Sequence, residues 1–474
     1  MLILSVATHG LAAPSRPKSP APLTSRSVAH RVLLRCARDG AFADRALSAE
    51  LDAAPDLPAG GRRHATELVY GVMRNSALLD HHLGQLTNLT RADLKTRTIL
   101  RIGAHETLHL RTADHAALNE AVALGKNRVQ RSYVNGVLRS LVRGRDADTL
   151  VAPESLAVRT STPQWLLDDV AASLDDADEV AAWAEASQQA PRLALRVNAH
   201  RCDPDAALAA LVAAGADAEA HPAVGGSLLV RGGGAPHKLP GFAEGHWTVQ
   251  DAAATLIGTL AAPAAGDRVA LELCAAPGGK TTHTASLLQP SGGVVVAVEL
   301  HARKLKLIAE ASSRLGVADA VRAVAADATD VGALRAALAE HANGAEAADA
   351  VLVDAPCSGM GTLRRNPEHR GKVREQLDGL PALQGRLLDA AAEVVRVGGA
   401  VTYSICTPRR EEGDDVLAAF LARKDGAFVL ETIDDPALTP FAAARPELGG
   451  DVLQTWTHRH ELDSHFAARL RRVR

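Results

Sequence analysis

Phenylalanine, tryptophan and tyrosine supply only 3% of this 474-residue chain, so its cores have to be assembled mainly from Ala, Leu and Val. Cysteine occurs five times, at Cys36, Cys202, Cys274, Cys357 and Cys406, and never as Cys-x-x-Cys. An odd, scattered set of that kind argues against a disulfide framework and a zinc knuckle, and for a reducing, cytoplasmic compartment. No metal is expected. No apolar run approaches the roughly 18–20 residues of a membrane span, and no internal repeat is evident. What remains is 47% hydrophobic and 23% charged, the balance of a soluble globular protein. The length calls for two to four domains.

Charge is unevenly placed. The net charge is −3, yet residues 26–145 hold 19 Lys+Arg against 11 Asp+Glu, and residues 146–474 carry −13. A basic N-terminal module on an acidic remainder is what a nucleic-acid anchor looks like. Within 26–145, Val28, Val32 and Cys36 recur at helical spacing, as do apolar positions in ATELVYGVMR, TILRIGAHETLHL and YVNGVLRSLV. The pattern predicts an all-α bundle of six or seven helices. Residues 1–25, with their Pro/Ser-rich stretch, are expected to be a disordered extension rather than a signal peptide.

A linker is expected over 146–160. Residues 161–238 then mix helical stretches with strands LALRVN and SLLVRG, which predicts a small α+β unit. From 239 to 474 the strands RVALELC, GVVVAVEL, VRAVAAD, ADAVLVDAP and GGAVTYSIC alternate with helical runs. Alternation of that kind predicts a mostly parallel α/β sheet that binds ligands at the carboxyl ends of its strands.

The first of these strands breaks at Cys274 into AAPGGKTTH, where Gly278 and Gly279 permit close backbone approach and a helix begins. Glu299 ends the second strand, 21 residues after Gly278, where a doubly wound fold places the carboxylate for a ribose diol. Glu272, Asp327 and Asp354 stand at the ends of the first, third and fourth strands. The loop is neither G-x-G-x-x-G nor G-x-x-x-x-G-K-[ST], so a dinucleotide or nucleoside triphosphate fits poorly. S-adenosylmethionine, a nucleoside without phosphate, fits better.

Two cysteines lie at strand ends beside that cleft, Cys357 in DAPCSGMG and Cys406 in VTYSICTPRREE. Cytosine C5 is a poor nucleophile until a thiolate adds to C6, so a cysteine and a carboxylic acid are the minimum kit for methylating it. Asp354, Cys357 and Cys406 could supply it. Spacing leaves open which thiol attacks. The segment Asp-Ala-Pro-Cys, in place of the Asp/Asn-Pro-Pro-aromatic of amino-group methyltransferases, points to carbon.

At CAAPGGKTTH (274–283) and DAPCSGMGTLRRNPE (354–368) the chain resembles the Sun/Fmu family of RNA cytosine-5 methyltransferases, in its RsmB-type branch. RRHATELVYGVMR (62–74), LRIGAHETL (100–108) and YVNGVLR (133–139) resemble the NusB-like module fused to that branch. The resemblance implies a NusB-like bundle, an RRM-like subdomain and a Rossmann-like class I methyltransferase domain. It places the covalent nucleophile on Cys406, product release on Cys357 and a hydrogen bond to the cytosine ring on Asp354. S-adenosylmethionine would be held by Cys274, Ala275, Ala276, Pro277, Gly278, Gly279 and Lys280, with Glu299, Arg303, Asp327 and Asp354. The implied substrate is small-subunit (16S) ribosomal RNA, acted on by a monomer. The alternatives are transfer RNA, or a non-catalytic RNA-binding, antitermination-like role. Arg364, Arg365, Arg370, Arg409 and Arg410 are candidates for phosphate contacts. The target base must leave its stack to reach a thiol, so the substrate is expected to be single-stranded or opened. Glu272 and Glu299 stand where the family usually has Asp, and Ser404-Ile405-Cys406-Thr407 replaces Ser-Thr-Cys-Ser. HRHELDSHFAARL (458–470) replaces an Asp-Gly-Phe-Phe segment.

Overall fold

A capping box opens the first helix: Thr24 accepts a hydrogen bond from the Ser27 amide while the Ser27 hydroxyl serves the Thr24 amide. Gly40, at φ 61°, ends it. The computed structural model describes residues 23–110, 112–232 and 234–474; most of the expected extension, residues 1–22, lies outside the described residues. Seven α-helices follow one another through the basic segment: Ser25–Asp39, Ala43–Asp52, Ala59–Arg74, Ser76–Gly84, Leu94–His109, Asp114–Ala123 and Arg128–Asp146. Their facing residues, including Val28, Val32, Leu68, Ile99, Ile102 and Leu138, form one buried core, with Cys36 half-buried against it. The bundle has a single aliphatic interior with most of its arginines outside, Arg74 being buried.

The α+β unit is a four-stranded antiparallel sheet of order β2-β3-β1-β4, with β1 Leu193–Val197, β2 Asp217–Ala220, β3 Ser227–Arg231 and β4 Trp247–Val249. Helix Pro204–Ala213 covers it, setting Ala207 and Leu211 against Leu195, Leu228 and Trp247. The fourth strand comes from beyond residue 238, where the unit was expected to end. The helices Gln164–Leu174 and Ala177–Ala186 leave this sheet altogether. Their Leu166, Val170 and Trp183 pack on Met360, Leu363 and Trp456 of the C-terminal domain, and the Trp183 indole donates to Ser464 Oγ at 3.0 Å.

The C-terminal sheet contains β5 Val269–Leu273, β6 Val294–Glu299, β7 Val321–Ala325, β8 Ala348–Asp354, β9 Val395–Ile405, β10 Phe428–Leu430, β11 Ala442–Arg445, β12 Gly450–Gln454 and β13 Phe466–Arg472. Its order is β11-β12-β13-β9-β8-β5-β6-β7, with β10 also pairing β13. Strands β5 to β9 run parallel, and helices on both faces keep them buried, hence their near-continuous Val, Ala and Leu. β5 touches β6 on one side and β8 on the other. That is the switch point at which a doubly wound sheet opens a crevice at its carboxyl edge.

The segment after β8 is wedged into that edge. The Gly361 amide donates to the Cys406 carbonyl at 3.0 Å and its carbonyl accepts from Ser464 at 2.9 Å. A Cβ at Gly361 would lie 1.8 Å from the Ser464 carbonyl oxygen, and neither backbone has a rotamer with which to yield. Gly361→Ala is therefore expected to cost about 3 kcal/mol or more, read as a lower denaturation midpoint in urea. An unchanged midpoint would show that the two loops do not hold this approach in solution.

Candidate active site

Two loops meet at the carboxyl edge of β8 and β9. Cys357 follows β8, Cys406 follows β9, and their sulfurs are 3.2 Å apart. Both are free thiols, partly accessible. The Cys406 amide also donates to Cys357 Sγ at 3.3 Å, so Cys357 is gripped from its neighbour's backbone.

The pair is electrically unequal. A hydrogen bond from Cys357 holds the Cys406 thiol below its ordinary range, helped by the charges of Lys280 and Arg365 and opposed by burial and Asp354. The same bond, with burial and the nearby Glu412 carboxylate, pushes Cys357 well above that range. Cys406 is thus the more acidic thiol of the two and Cys357 the less acidic.

Asp354, the last residue of β8, is shared. Lys280 Nζ donates to one oxygen at 2.7 Å and Ser404 Oγ to the other at 2.8 Å. Lys280, expected in the cofactor loop, thus reaches across to the acid beside the thiols. Behind them, buried Glu412 accepts from the Ser358 amide at 2.9 Å, Gln384 at 2.9 Å and Arg409 at 3.1 Å. Lys372 Nζ donates to the Ser358 carbonyl at 2.7 Å. Together they clamp the Pro-Cys-Ser turn. Sequence reasoning missed Ser404, Glu412, Gln384 and Lys372; only the RREE run offered a signal, through a carboxylate following two cations.

The cofactor loop begins at Cys274, which lies at φ 61° with its thiol pushed up to about 12 by burial. Ala275 bonds back to Val298 at 3.0 Å, and Ala276-Pro277 leads to Gly278, at φ 100°, the N-cap of helix Gly279–Leu288. No side chain caps that helix and its first turn holds no acid, so its first amides are free for a carboxylate. A Cβ at Gly278 would meet Ile308 at 3.2 Å. Glu299 closes β6 nearby, bonded to the His301 amide at 3.1 Å and Lys304 Nζ at 3.0 Å. An uncapped helix start facing a strand-end carboxylate suits an amino-acid-bearing nucleoside.

Other expectations shift. Arg303 is exposed on the first turn of helix Ala302–Leu315, and Lys304 is the cation that meets Glu299. Asp327 lies two residues beyond β7, exposed, its carboxyl lowered by the Thr329 amide and hydroxyl it accepts from. Arg370 is not on a surface: buried, it donates to the carbonyls of Thr160, Ser161 and Ser187. Arg409, also buried, pairs with Asp169, Glu411 and Glu412. Buried among these partners, neither guanidinium is accessible to a phosphate. Arg364, with its side chain 12% exposed, bonds the Glu461 carbonyl, Arg365 pairs with Asp463, and Arg410 is exposed beside Asp415.

Glu272, inside β5, is buried, with one carboxyl oxygen lacking any partner; burial pushes it up to about 8. Unfolded, it ionises near 4.5. Between those values the folded chain holds the extra proton, so stability falls as pH rises, by up to about 1.4 kcal/mol per pH unit. Glu272→Gln should therefore melt above wild type at pH 8 but not at pH 4, as read by thermal denaturation at both pH values. Equal melting curves at pH 8 would rule out a protonated carboxyl.

Among the described residues no helix is long and apolar enough to cross a membrane, and no group of three ligating side chains could hold a metal ion. The family model described as 16S rRNA methyltransferase RsmB/F matches residues 259–471. A NusB family model matches 23–143, and the ferredoxin-like domain of RsmF/B-like methyltransferases matches 162–235. Ribosomal RNA small subunit methyltransferase B of Pseudomonas syringae pv. tomato is 35% identical over 362 residues, covering 75% of this chain and 77% of the relative. The protein named probable ribosomal RNA small subunit methyltransferase B in Synechocystis is 30% identical over 467 residues, 95% of this chain and 100% of its own. A crystal structure described as that of PH0851 superposes with a TM-score of 0.74 at 23% identity, over 96% of this chain and 100% of that one; it shares the fold. With family models on the bundle, the ferredoxin-like unit and the C-terminal domain, and a relative 35% identical over three quarters of each chain, the chain belongs to the RsmB/F family of methyltransferases.

Proposed function

We propose that the chain methylates C5 of a cytosine in small-subunit ribosomal RNA, using S-adenosylmethionine and a covalent cysteine adduct. The observation that carries the chemistry is the pair of sulfurs 3.2 Å apart beside Asp354, with Cys406 the more acidic of the two. The relatives' names support the RNA class, and nothing in them supports transfer RNA.

The residues divide the work. Cys406 Sγ adds to C6 of the flipped base, and the ring electrons move to C5. Asp354, held between Lys280 and Ser404, meets the polar edge of the ring and fixes its orientation. Bound S-adenosylmethionine would supply an electrophilic methyl for that carbon. The C5 proton must then leave to a base, the C6–S bond breaks, and Cys406 returns as a thiolate stabilised by the Cys357 S–H. Gly278 to Lys280 would hold the cofactor's carboxylate and Glu299 its ribose.

Bisulfite sequencing of unmodified small-subunit rRNA, incubated with the protein and S-adenosylmethionine, should show one new protected cytosine. Full conversion at every cytosine would overturn the reading. The active species is proposed to be a cytoplasmic monomer, which light scattering with and without RNA would test.

A second outcome concerns Asp354. Asp354→Asn keeps the shape but strips the partner from Lys280 and the charge from the base-facing edge. Methylation should fall by about 10²–10⁴, with S-adenosylmethionine affinity by calorimetry changing far less. A fall in both together would make Asp354 chiefly a cofactor ligand.

A further inference from the structure

Where the three units meet, a cleft is left between them. One cavity of about 380 Å³ is lined by Tyr70 and Arg74 of the helical bundle, by Arg192, and by Arg364 and Arg365 of the catalytic loop. A second, of about 400 Å³, shares Arg192, Asp251 and Arg364 with the first and continues past His221 and Arg231 of the antiparallel sheet. The cleft is thus continuous, and its inner end lies on the loop that carries Cys357.

Arg192, Arg364 and Arg365 of this cleft have carboxylate partners, whereas Arg74 and Arg231 have none among the described residues. Arg74 is 8% exposed, yet among the described residues it has no ion-pair partner. Its Nε reaches only the Arg364 carbonyl, at 3.4 Å, and its guanidinium lies 5.7 Å from the Tyr70 ring centre. A buried cation without an anion is costly, and burial lowers its proton affinity accordingly. Among the described residues Arg231 is exposed without an ion pair, and Arg364 Nε makes no hydrogen bond, Asp463 lying 3.6 Å from it. The acids present are already engaged: Asp251 caps a helix and faces Arg365, Glu219 holds Arg192, and Glu179 holds His458. Glu461 adds one exposed carboxylate at the outer rim.

We propose that this cleft holds the single-stranded RNA flanking the target cytosine, with phosphates on Arg74, Arg192, Arg231 and Arg364 and a base stacked on Tyr70. The inference rests on the RNA-methyltransferase reading and adds to it a strand path shared by all three units. A half-buried tyrosine beside a guanidinium is a stacking platform that tolerates any base. Arginines along a groove track the backbone and set its register. The strand enters from the bundle and leaves its flipped base at Cys406. The helical unit is accordingly part of the binding site, one wall of it.

The test uses the full chain and unmodified small-subunit rRNA transcribed in vitro. Tyr70→Leu should weaken RNA binding about tenfold, within the range for one lost base stack, while Tyr70→Phe binds like wild type. Arg192→Ala with Arg231→Ala should flatten the slope of log affinity against log salt by about 1 to 2. Both should raise KM for RNA and leave S-adenosylmethionine affinity by calorimetry unchanged. Wild-type RNA affinity and salt slope in these variants, in a protein that still methylates, would overturn the cleft and spare the activity. Ultraviolet crosslinking gives a second measurement. Crosslinks in the peptide bearing Tyr70 are expected, and crosslinks confined to the exposed face of helix Arg128–Asp146 would overturn the proposal. A wild-type protein that neither binds S-adenosylmethionine nor methylates RNA would overturn both readings.

Discussion

Cys406→Ala should abolish methyl transfer, by at least about 10⁴-fold, the order of loss seen when a covalent nucleophile is removed. Nothing else in the site can replace it: the other sulfur, Cys357, is held protonated by its bond to Cys406, by burial and by Glu412. S-adenosylmethionine binding should survive, because the Gly278 turn and Glu299 do not touch the thiol. The pH dependence has a definite sign. The reactive form is the thiolate and the Cys406 thiol is lowered, so the rate is lost as pH falls through a value below that of an ordinary cysteine. Removing the S–H donor with Cys357→Ala should move that inflexion upward. Methylation retained by Cys406→Ala, or an inflexion that stays put in Cys357→Ala, would count against the assignment.

The parallel half of the sheet was legible because its physics repeats along the chain. Runs such as VVVAVE and ADAVLVD are buried on both faces, and each is followed by a helix, so β5 to β9 stand out. The antiparallel strands after β9 do not. β13, Phe466–Arg472, lies beside β9 in the middle of the sheet, but three of the seven residues in its sequence FAARLRR are arginine. Those arginines are satisfied by partners far away in sequence: Arg469 and Arg471 by Glu431, Arg472 by the carbonyls of Ala392 and Val395. Arg370 and Arg409 are the same lesson at the site. A charged residue after a catalytic turn reads as a surface group, whereas here each fills a buried set of oxygens from distant segments. The glycine turn, Asp354 and the two cysteines could be named because each sits at a strand end. Which thiol is the more acidic could not, since that depends on the bond between the two sulfurs, with Lys280 and Arg365 on one side and Glu412 on the other.

Cys357→Ala should behave in the opposite manner to Cys406→Ala, by trapping RNA on the protein. On the proposed mechanism the adduct forms through Cys406, which remains. Its breakdown requires Cys406 to depart as a thiolate, and the group that stabilises that thiolate is the Cys357 S–H, 3.2 Å away. A hydrogen bond to a charged partner contributes about 1.5–3 kcal/mol, so its loss should slow elimination by roughly 10- to 150-fold. Addition is penalised less, since the ring and not the sulfur carries the charge once the bond to C6 has formed. The expected signature is a burst of one methyl per protein, followed by slow turnover, and a band on a denaturing gel containing both RNA and protein. The band should vanish in the Cys357→Ala, Cys406→Ala double variant, which separates a covalent adduct from tight binding. If the band appears instead with Cys406→Ala alone, Cys357 is the nucleophile, and the electrostatic inequality of the two sulfurs must be inverted once the base is bound.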